Sequence, residues 1–222
     1  FNLEPTMTEE ETVRAIFTGI DVVEDCKKKG YHILATGEMG IGNTTTSSAV
    51  VAALLKCKPD TVTGRGAGLD DKRLQHKKQI ITDAMEKYNL YEAEPFSVLQ
   101  TVGGLDIAGL AGVCIGGGIF HIPVVLDGVI SMAAALLAER LVPGTIQYLI
   151  PSHKGKEPAV KRLMEELQLE PVIDAKMALG EGTGAVMMLA LLEMALYIYQ
   201  EKLLFSDIQV GQYKRYGCEK LL

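Results

Sequence analysis

Two glutamates of this 222-residue chain sit inside glycine-rich turns, where a carboxylate gains neither helical nor packing support. Glu181 lies in Leu179-Gly180-Glu181-Gly182-Thr183-Gly184, and Glu38 in Gly37-Glu38-Met39-Gly40-Ile41-Gly42-Asn43-Thr44-Thr45. Flanking glycines leave such a side chain uncovered. It then faces whatever fills the space beside the loop, where it can take up a proton or steady a developing positive charge. The rest of the first loop suits an anion. Gly40 and Gly42 let the backbone approach a phosphate closely, and Asn43 and Thr44 open a helix whose first N–H groups carry a partial positive charge. Glu38 would repel a phosphate at short range, so it is expected to face a cationic or hydroxyl-bearing part of a ligand. A capped glycine turn with no ligand would use the same residues. The spacing is neither GxxxxGKS/T nor GxGxxG, which argues against a P-loop and against a nicotinamide dinucleotide oxidoreductase.

Other polar residues stand at the ends of apolar runs. Asp127 and Gly128 follow Ile122-Pro123-Val124-Val125-Leu126, a run typical of a parallel strand buried on both faces. Asp127 either lines a ligand at the carboxyl edge of the sheet or caps the helix predicted from Ser131 to Leu141. His153 follows the strand predicted over Gln147–Ile150 and, taken alone, reads as a structural histidine. Gly66 belongs to Thr63-Gly64-Arg65-Gly66-Ala67-Gly68, whose alternating glycines predict a flexible or ligand-hugging loop. Lys77 lies in a polar helix running from Asp70-Asp71 to about Tyr88, and by that pattern alone belongs on the surface.

The elements that must position these residues recur as strand, polar loop, helix, without hairpin signals, which predicts an α/β fold with a parallel sheet and right-handed crossovers. A capping box, Thr8 with Glu11, opens a helix that should stop at Gly30 and bury Val13, Ile16, Phe17, Ile20 and Val23. A strand over Tyr31–Ala35 feeds the first glycine loop, and the following helix ends near Lys56. Leu105 to Phe120 reads as a glycine- and alanine-rich helix held by close packing. Ala159–Leu167 and Val186 to about Leu203 are further helices, and Ser206–Leu222 is mixed in character.

The formal net charge is −6, with 22 basic and 28 acidic residues, which argues against a nucleic-acid partner. The short runs 27–29 and 72–73 are expected to be solvated helix faces. Cys26, Cys57, Cys114 and Cys218 form no CxxC pair and are read as reduced thiols, and the histidines show no metal-ligand spacing. No leader pattern is visible at the start. Leu105–Phe120 and Ala185–Tyr199 look too short for a membrane span and carry Asp106 and Glu193, so both are expected to be buried helices. A cytoplasmic protein with no membrane partner follows from these features.

Taken together, the segments GEMGIGNTT (37–45), GRGAGLDD (64–71), GGLDIA (103–108), IPVVLDG (122–128), Ser152-His153 and GEGTGA (180–185) resemble the nicotinate-nucleotide–dimethylbenzimidazole phosphoribosyltransferases, in that family's order and across nearly the whole chain. The resemblance implies an enzyme that moves the phosphoribosyl group of nicotinate mononucleotide onto 5,6-dimethylbenzimidazole. The products are nicotinate and α-ribazole 5′-phosphate, formed with inversion, as part of building the lower nucleotide loop of cobalamin. It implies Glu181 as general base, supported by Glu38, and a phosphate held by Gly40, Gly42, Asn43, Thr44, Gly66 and Lys77. Asp127, Gly128, Leu179 and Gly180 would line the substrate. No metal or other cofactor is implied, because the leaving nicotinate is already a pyridinium cation in the substrate. A homodimer, and a three-layer, Rossmann-like sheet flanked by helices, are implied as well.

Two departures stand out. Gly155 occupies a position where a hydroxyl residue is common in the family. Only 36 residues precede Gly37, where family members carry a longer N-terminal region that helps form the base pocket and a smaller domain. The chain is therefore expected to be a single domain, the C-terminal portion of the family's length, with the small domain incomplete or missing. A nucleotide-binding module of the same fold without turnover is the alternative.

Overall fold

The computed structural model describes residues 1–201 and Asp207. The chain divides into a large unit, Phe1–Leu189, and the segment from Ala190 onward. The large unit is an α/β fold around a three-stranded parallel sheet. In chain order it holds α1 (Glu9–Lys28), β1 (Leu34–Ala35), α2 (Asn43–Leu54), α3 (Asp71–Lys87), α4 (Pro95–Val102), α5 (Leu105–Phe120), β2 (Val124–Leu126), α6 (Val129–Leu141), β3 (Leu149–Pro151), α7 (Pro158–Leu167) and the start of α8 (Thr183–Glu201).

The sheet order is β1-β2-β3, with Leu34 beside Val124 and Val125 beside Ile150. Every described connection between strands is a helical crossover, as predicted. β2 is wholly buried, as its continuous apolar run requires. The ends of β1, β2 and β3 lead into Thr36, Asp127 and Ser152, so the three polar loops rise from one edge of the sheet.

α1 starts at the predicted capping box: Glu11 N–H donates to Thr8 Oγ1 and the Glu11 carboxylate accepts from Thr8 N–H. Its predicted core stripe holds only in part. Val23 is buried and Ile16 and Ile20 are half-buried, but Val13 and Phe17 are exposed, and Gly19 is buried instead. The cause is a close helix crossing. A Cβ on Gly19 would lie 2.0 Å from the Gly109 carbonyl oxygen, and one on Gly112 would lie 2.0 Å from that of Ile16. The glycines of α5 thus hold it against α1, as the small-residue pattern predicted.

Other boundaries differ modestly. β1 is limited to Leu34–Ala35, with Tyr31 exposed outside it. Phe96–Leu99 is part of a longer helix, α4, and α6 starts at Val129 with Gly128 as its N-cap. Lys27 to Lys29 and Lys72-Arg73 are exposed, as expected of solvated helix faces. Cys26, Cys57 and Cys114 are free thiols, and burial pushes the Cys114 thiol up to about 12; Cys218 lies outside the described residues.

The last helix corrects the sequence reading. α8 starts at Thr183 and, by length and composition, is long and apolar enough to cross a membrane, but only 17% of its apolar window is buried. Gly184, Ala185 and Met188 pack inside, whereas Val186 and Met187 are exposed, as are Tyr197, Ile198 and Tyr199. Its apolar residues run round the whole helix, so burial of one side leaves the rest uncovered. The predicted continuation to Leu203 and most of the tail lie outside the described residues.

Candidate active site

The loops that carry the expected site residues border one cavity of about 560 Å³ at the carboxyl edge of the sheet, which the 103–108 segment does not line. Glu38, Gly40, Gly42, Asn43 and Thr44 line it from the β1–α2 loop, and Gly66 and Lys77 from the side of α3. Asp127 and Gly128 line it from the end of β2, and Leu179, Gly180 and Glu181 from the loop before α8. Every residue expected at the site therefore lines this cavity.

Lys77 is not a surface residue. It is 5% exposed, and its Nζ donates to Thr44 Oγ1 at 2.9 Å and to the Gly64 carbonyl oxygen at 3.1 Å. Both partners are neutral, so burial pushes the ammonium down to about 8. Gly66, at φ +55°, closes over this contact; a Cβ there would lie 2.7 Å from Thr44 Oγ1. Among the described residues the lysine has no ion-pair partner, and an incoming anion would balance its charge.

Glu38 is bonded within its own loop. Its carboxylate accepts from Asn43 Nδ2, and Gly40 leaves it room, since a Cβ there would sit 2.6 Å from Glu38 Oε1. Burial raises the Glu38 carboxyl above its usual range, the Asn43 bond opposes this, and the Asp106 charge adds to the rise.

Several helix N-termini border the cavity, among them those of α2, α6 and α8, and they differ. α2 starts from Gly42, at φ +94°, with no side-chain cap and no acidic residue in its first turn. The N-terminus of α8 is already filled. Asp127 is 3% exposed; its Oδ1 accepts from Gly184 N–H at 2.9 Å and Ala185 N–H at 3.3 Å, and its Oδ2 from Gly182 N–H at 3.1 Å. Asp127 therefore caps a helix more than fifty residues away, and the cap of its own helix is Gly128. α6 also starts without a side-chain cap or an acidic residue in its first turn, but the Asp127 carboxylate precedes its N-cap, whereas Lys77 stands beside the start of α2, so an anion entering the cavity is directed to α2 and Lys77.

Glu181 is exposed to the cavity at φ +58°, between Gly180 at +78° and Gly182 at +83°. A left-handed backbone costs a residue with a Cβ about 1–2 kcal/mol, so this glutamate is held in place by its surroundings. Gly37 presses on the same turn; a Cβ there would meet the Gly182 nitrogen at 2.9 Å. The first and last glycine loops thus touch through bare backbone.

Several lining residues escaped the sequence reading. His153 is 3% exposed, with Nδ1 3.0 Å from Ser152 Oγ, and a Cβ on Gly184 would lie 1.9 Å from that nitrogen. It is structurally packed, as expected, yet it also lines the cavity. Its position just past a strand end, two residues beyond β3, was the available signal. Ser131 is buried and hydrogen-bonded to Thr36 at 3.0 Å. Arg65 donates to the Leu69 carbonyl oxygen at 2.8 Å and pairs with Asp71, which braces the Gly66 loop. Glu157 also lines the cavity, and a side chain at Gly155 would press on it, with a Cβ 2.8 Å from Glu157 Oε2.

Residues 1–210 match the family model described as "Phosphoribosyltransferase". The chain belongs to this phosphoribosyltransferase family. Similar proteins include the nicotinate-nucleotide–dimethylbenzimidazole phosphoribosyltransferase of Clostridium acetobutylicum, 44% identical over 94% of this chain and 59% of the relative. The enzyme of the same name from Acetivibrio thermocellus is 43% identical over 95% of this chain and 60% of the relative. The crystal structure of CobT from Thermus thermophilus superposes with a TM-score of 0.88 at 37% identity, covering 96% of this chain and 63% of that one. The phosphoribosyltransferase chain thus spans about 60% of the length of the curated relatives it matches, and the α/β architecture described above is that of the CobT fold.

Proposed function

We propose that this chain transfers the phosphoribosyl group of nicotinate mononucleotide to 5,6-dimethylbenzimidazole or a related lower base, yielding nicotinate and α-ribazole 5′-phosphate for cobalamin assembly. The observation that carries this reading is the pairing, in one cavity, of a buried lysine with neutral partners and a strained glutamate on an uncovered turn. The names and the fold of the relatives support it.

In this reading the phosphate rests on Lys77, Thr44, Gly66 and the open N-terminus of α2, close to Gly40, Gly42 and Asn43. A benzimidazole nitrogen attacks the anomeric carbon of the ribose. The bond from that carbon to the pyridinium nitrogen breaks, and its electron pair neutralises the departing nicotinate ring. Glu181 takes the proton from the other benzimidazole nitrogen, so no general acid is required. Glu38, oriented by Asn43, favours the positive charge that develops on the ribose. Gly128, Leu179 and Gly180 line the nucleotide.

Residues 1–222 act as one phosphoribosyltransferase domain in a cytoplasmic homodimer. The uncovered apolar surface of α8 supports self-association. Incubating the chain with both substrates and separating the products by chromatography tests the reaction. Nicotinate and α-ribazole 5′-phosphate should appear together; the β anomer, or binding without release, would contradict it.

A further inference from the structure

We propose that Asp127 is a positioning residue for Glu181, one that fixes the turn carrying the base by holding the amides that follow it. The inference rests on the reading of Glu181 as base.

A helix start leaves its first N–H groups without intrahelical partners, and each must be matched where water is excluded. At α8 the matching is complete. Thr183 N–H donates to the Gly180 carbonyl oxygen at 3.0 Å, closing the turn around Glu181, and Val186 N–H donates to the Gly182 carbonyl oxygen at 2.9 Å. Gly182, Gly184 and Ala185 remain, and all three donate to Asp127. The Gly182 amide is the first group after Glu181 in the chain. Its bond to Asp127 Oδ2 sets where the left-handed turn ends.

Asp127 is itself fixed from both flanking strands. Its N–H donates to Thr36 Oγ1 at 3.2 Å, beyond β1, and its carbonyl oxygen accepts from Ser152 Oγ at 3.2 Å, beyond β3. The central strand thus supplies a rigid anchor, and the carboxylate transmits its position to the turn. A residue in the left-handed region persists only where its surroundings over-determine it. The Asp127 bonds and the close Gly37 backbone, which both meet the turn at Gly182, do this. With three backbone donors on its oxygens and 3% exposure, Asp127 serves the loop and not the nucleotide directly.

Asp127→Asn tests this specifically. The amide oxygen can keep the Gly184 and Ala185 bonds, but the NH2 group then faces the Gly182 N–H, donor against donor. Misplacement of the turn is expected to lower kcat about a hundredfold. Affinity for nicotinate mononucleotide, held by Lys77 and Thr44, should change by no more than about threefold. Amide exchange at Gly182 should speed by about fivefold or more, the equivalent of one lost hydrogen bond, with the amides of α6 unchanged. In a Glu181→Gln background the same substitution should cost almost nothing further, since its effect passes through Glu181. Ser152→Ala, which loosens the Asp127 carbonyl and keeps the carboxylate, should give the same split at smaller amplitude. Unchanged kcat, proportional loss of kcat and mononucleotide affinity, or unchanged exchange at Gly182 would each overturn the proposal. Failure of the underlying functional reading shows separately, as absence of nicotinate release by the unmutated chain, and the exchange measurement still decides whether Asp127 holds the turn.

Discussion

The Nζ of Lys77 lies 2.9 Å from the hydroxyl oxygen of Thr44, inside the protein, and among the described residues its hydrogen-bond partners are neutral. A buried ammonium in such a place is costly to the empty protein and becomes favourable when a phosphate arrives.

Stability of the ligand-free chain should therefore rise with pH between about 8 and 10.5. In that window the unfolded chain still carries the Lys77 proton and the folded chain has lost it, because the folded value is lowered to about 8 from 10.5. Below pH 8 this lysine contributes no slope. Phosphate binding should show the reverse trend and weaken as pH rises above 8, because the anion needs the proton in place. Calorimetry of nicotinate mononucleotide binding at pH 7 to 10, in buffers of different ionisation enthalpy, should record proton uptake above pH 8. Binding insensitive to pH there would contradict the assignment.

Lys77→Ala should weaken mononucleotide binding by about 1.5–3 kcal/mol, the range for a hydrogen bond to a charged group. Lys77→Met, which fills the same space without the charge, should leave the empty protein at least as stable as the original. Thermal melting with and without ligand separates the two effects: the Met variant should lose the ligand-induced rise. A rise retained in full would return the phosphate to another corner of the cavity.

Gly184→Ala should destabilise the fold by about 1–3 kcal/mol, because overpacking forces neighbours out of place. The added Cβ would lie 1.9 Å from His153 Nδ1. Urea unfolding measures the loss. An alanine tolerated without cost would show that His153 moves freely, against the packing described here.

Glu181→Gly should leave the fold as stable or raise its stability by up to about 1 kcal/mol, since glycine removes the left-handed penalty and returns part of the gain as chain entropy. Transfer should be lost at the same time. A residue that costs stability and carries the reaction is the signature of a functional site. Marked destabilisation in this variant would mean that the glutamate is held for structural reasons.

The glycine loops were legible because glycine alternating with a carboxylate or hydroxyl is a poor structural choice, and the first of them follows a strand. Asp127 was visible as a polar residue at a strand end. Its partners were not, since Gly182 and Gly184 come to it only through the tertiary fold. Lys77 was misplaced by its own helix, because the 3.6-residue pattern sees a polar surface and cannot see Gly64 and Gly66 folding over it. Phe17 and Val13 were expected inside, but the Gly19–Gly112 crossing turns α1 so that they face out. α8 was read as a buried core helix because its composition is apolar, and composition does not reveal how much of a helix its neighbours cover.

The most direct measurement is nicotinate release from nicotinate mononucleotide, followed by chromatography with and without 5,6-dimethylbenzimidazole, for the unmutated chain and for Glu181→Gln. The unmutated chain should release nicotinate when the base is present, and Glu181→Gln should bind the mononucleotide normally but release almost none. Equal release by the two proteins, or none by the unmutated chain, would contradict Glu181 as the base of a phosphoribosyl transfer.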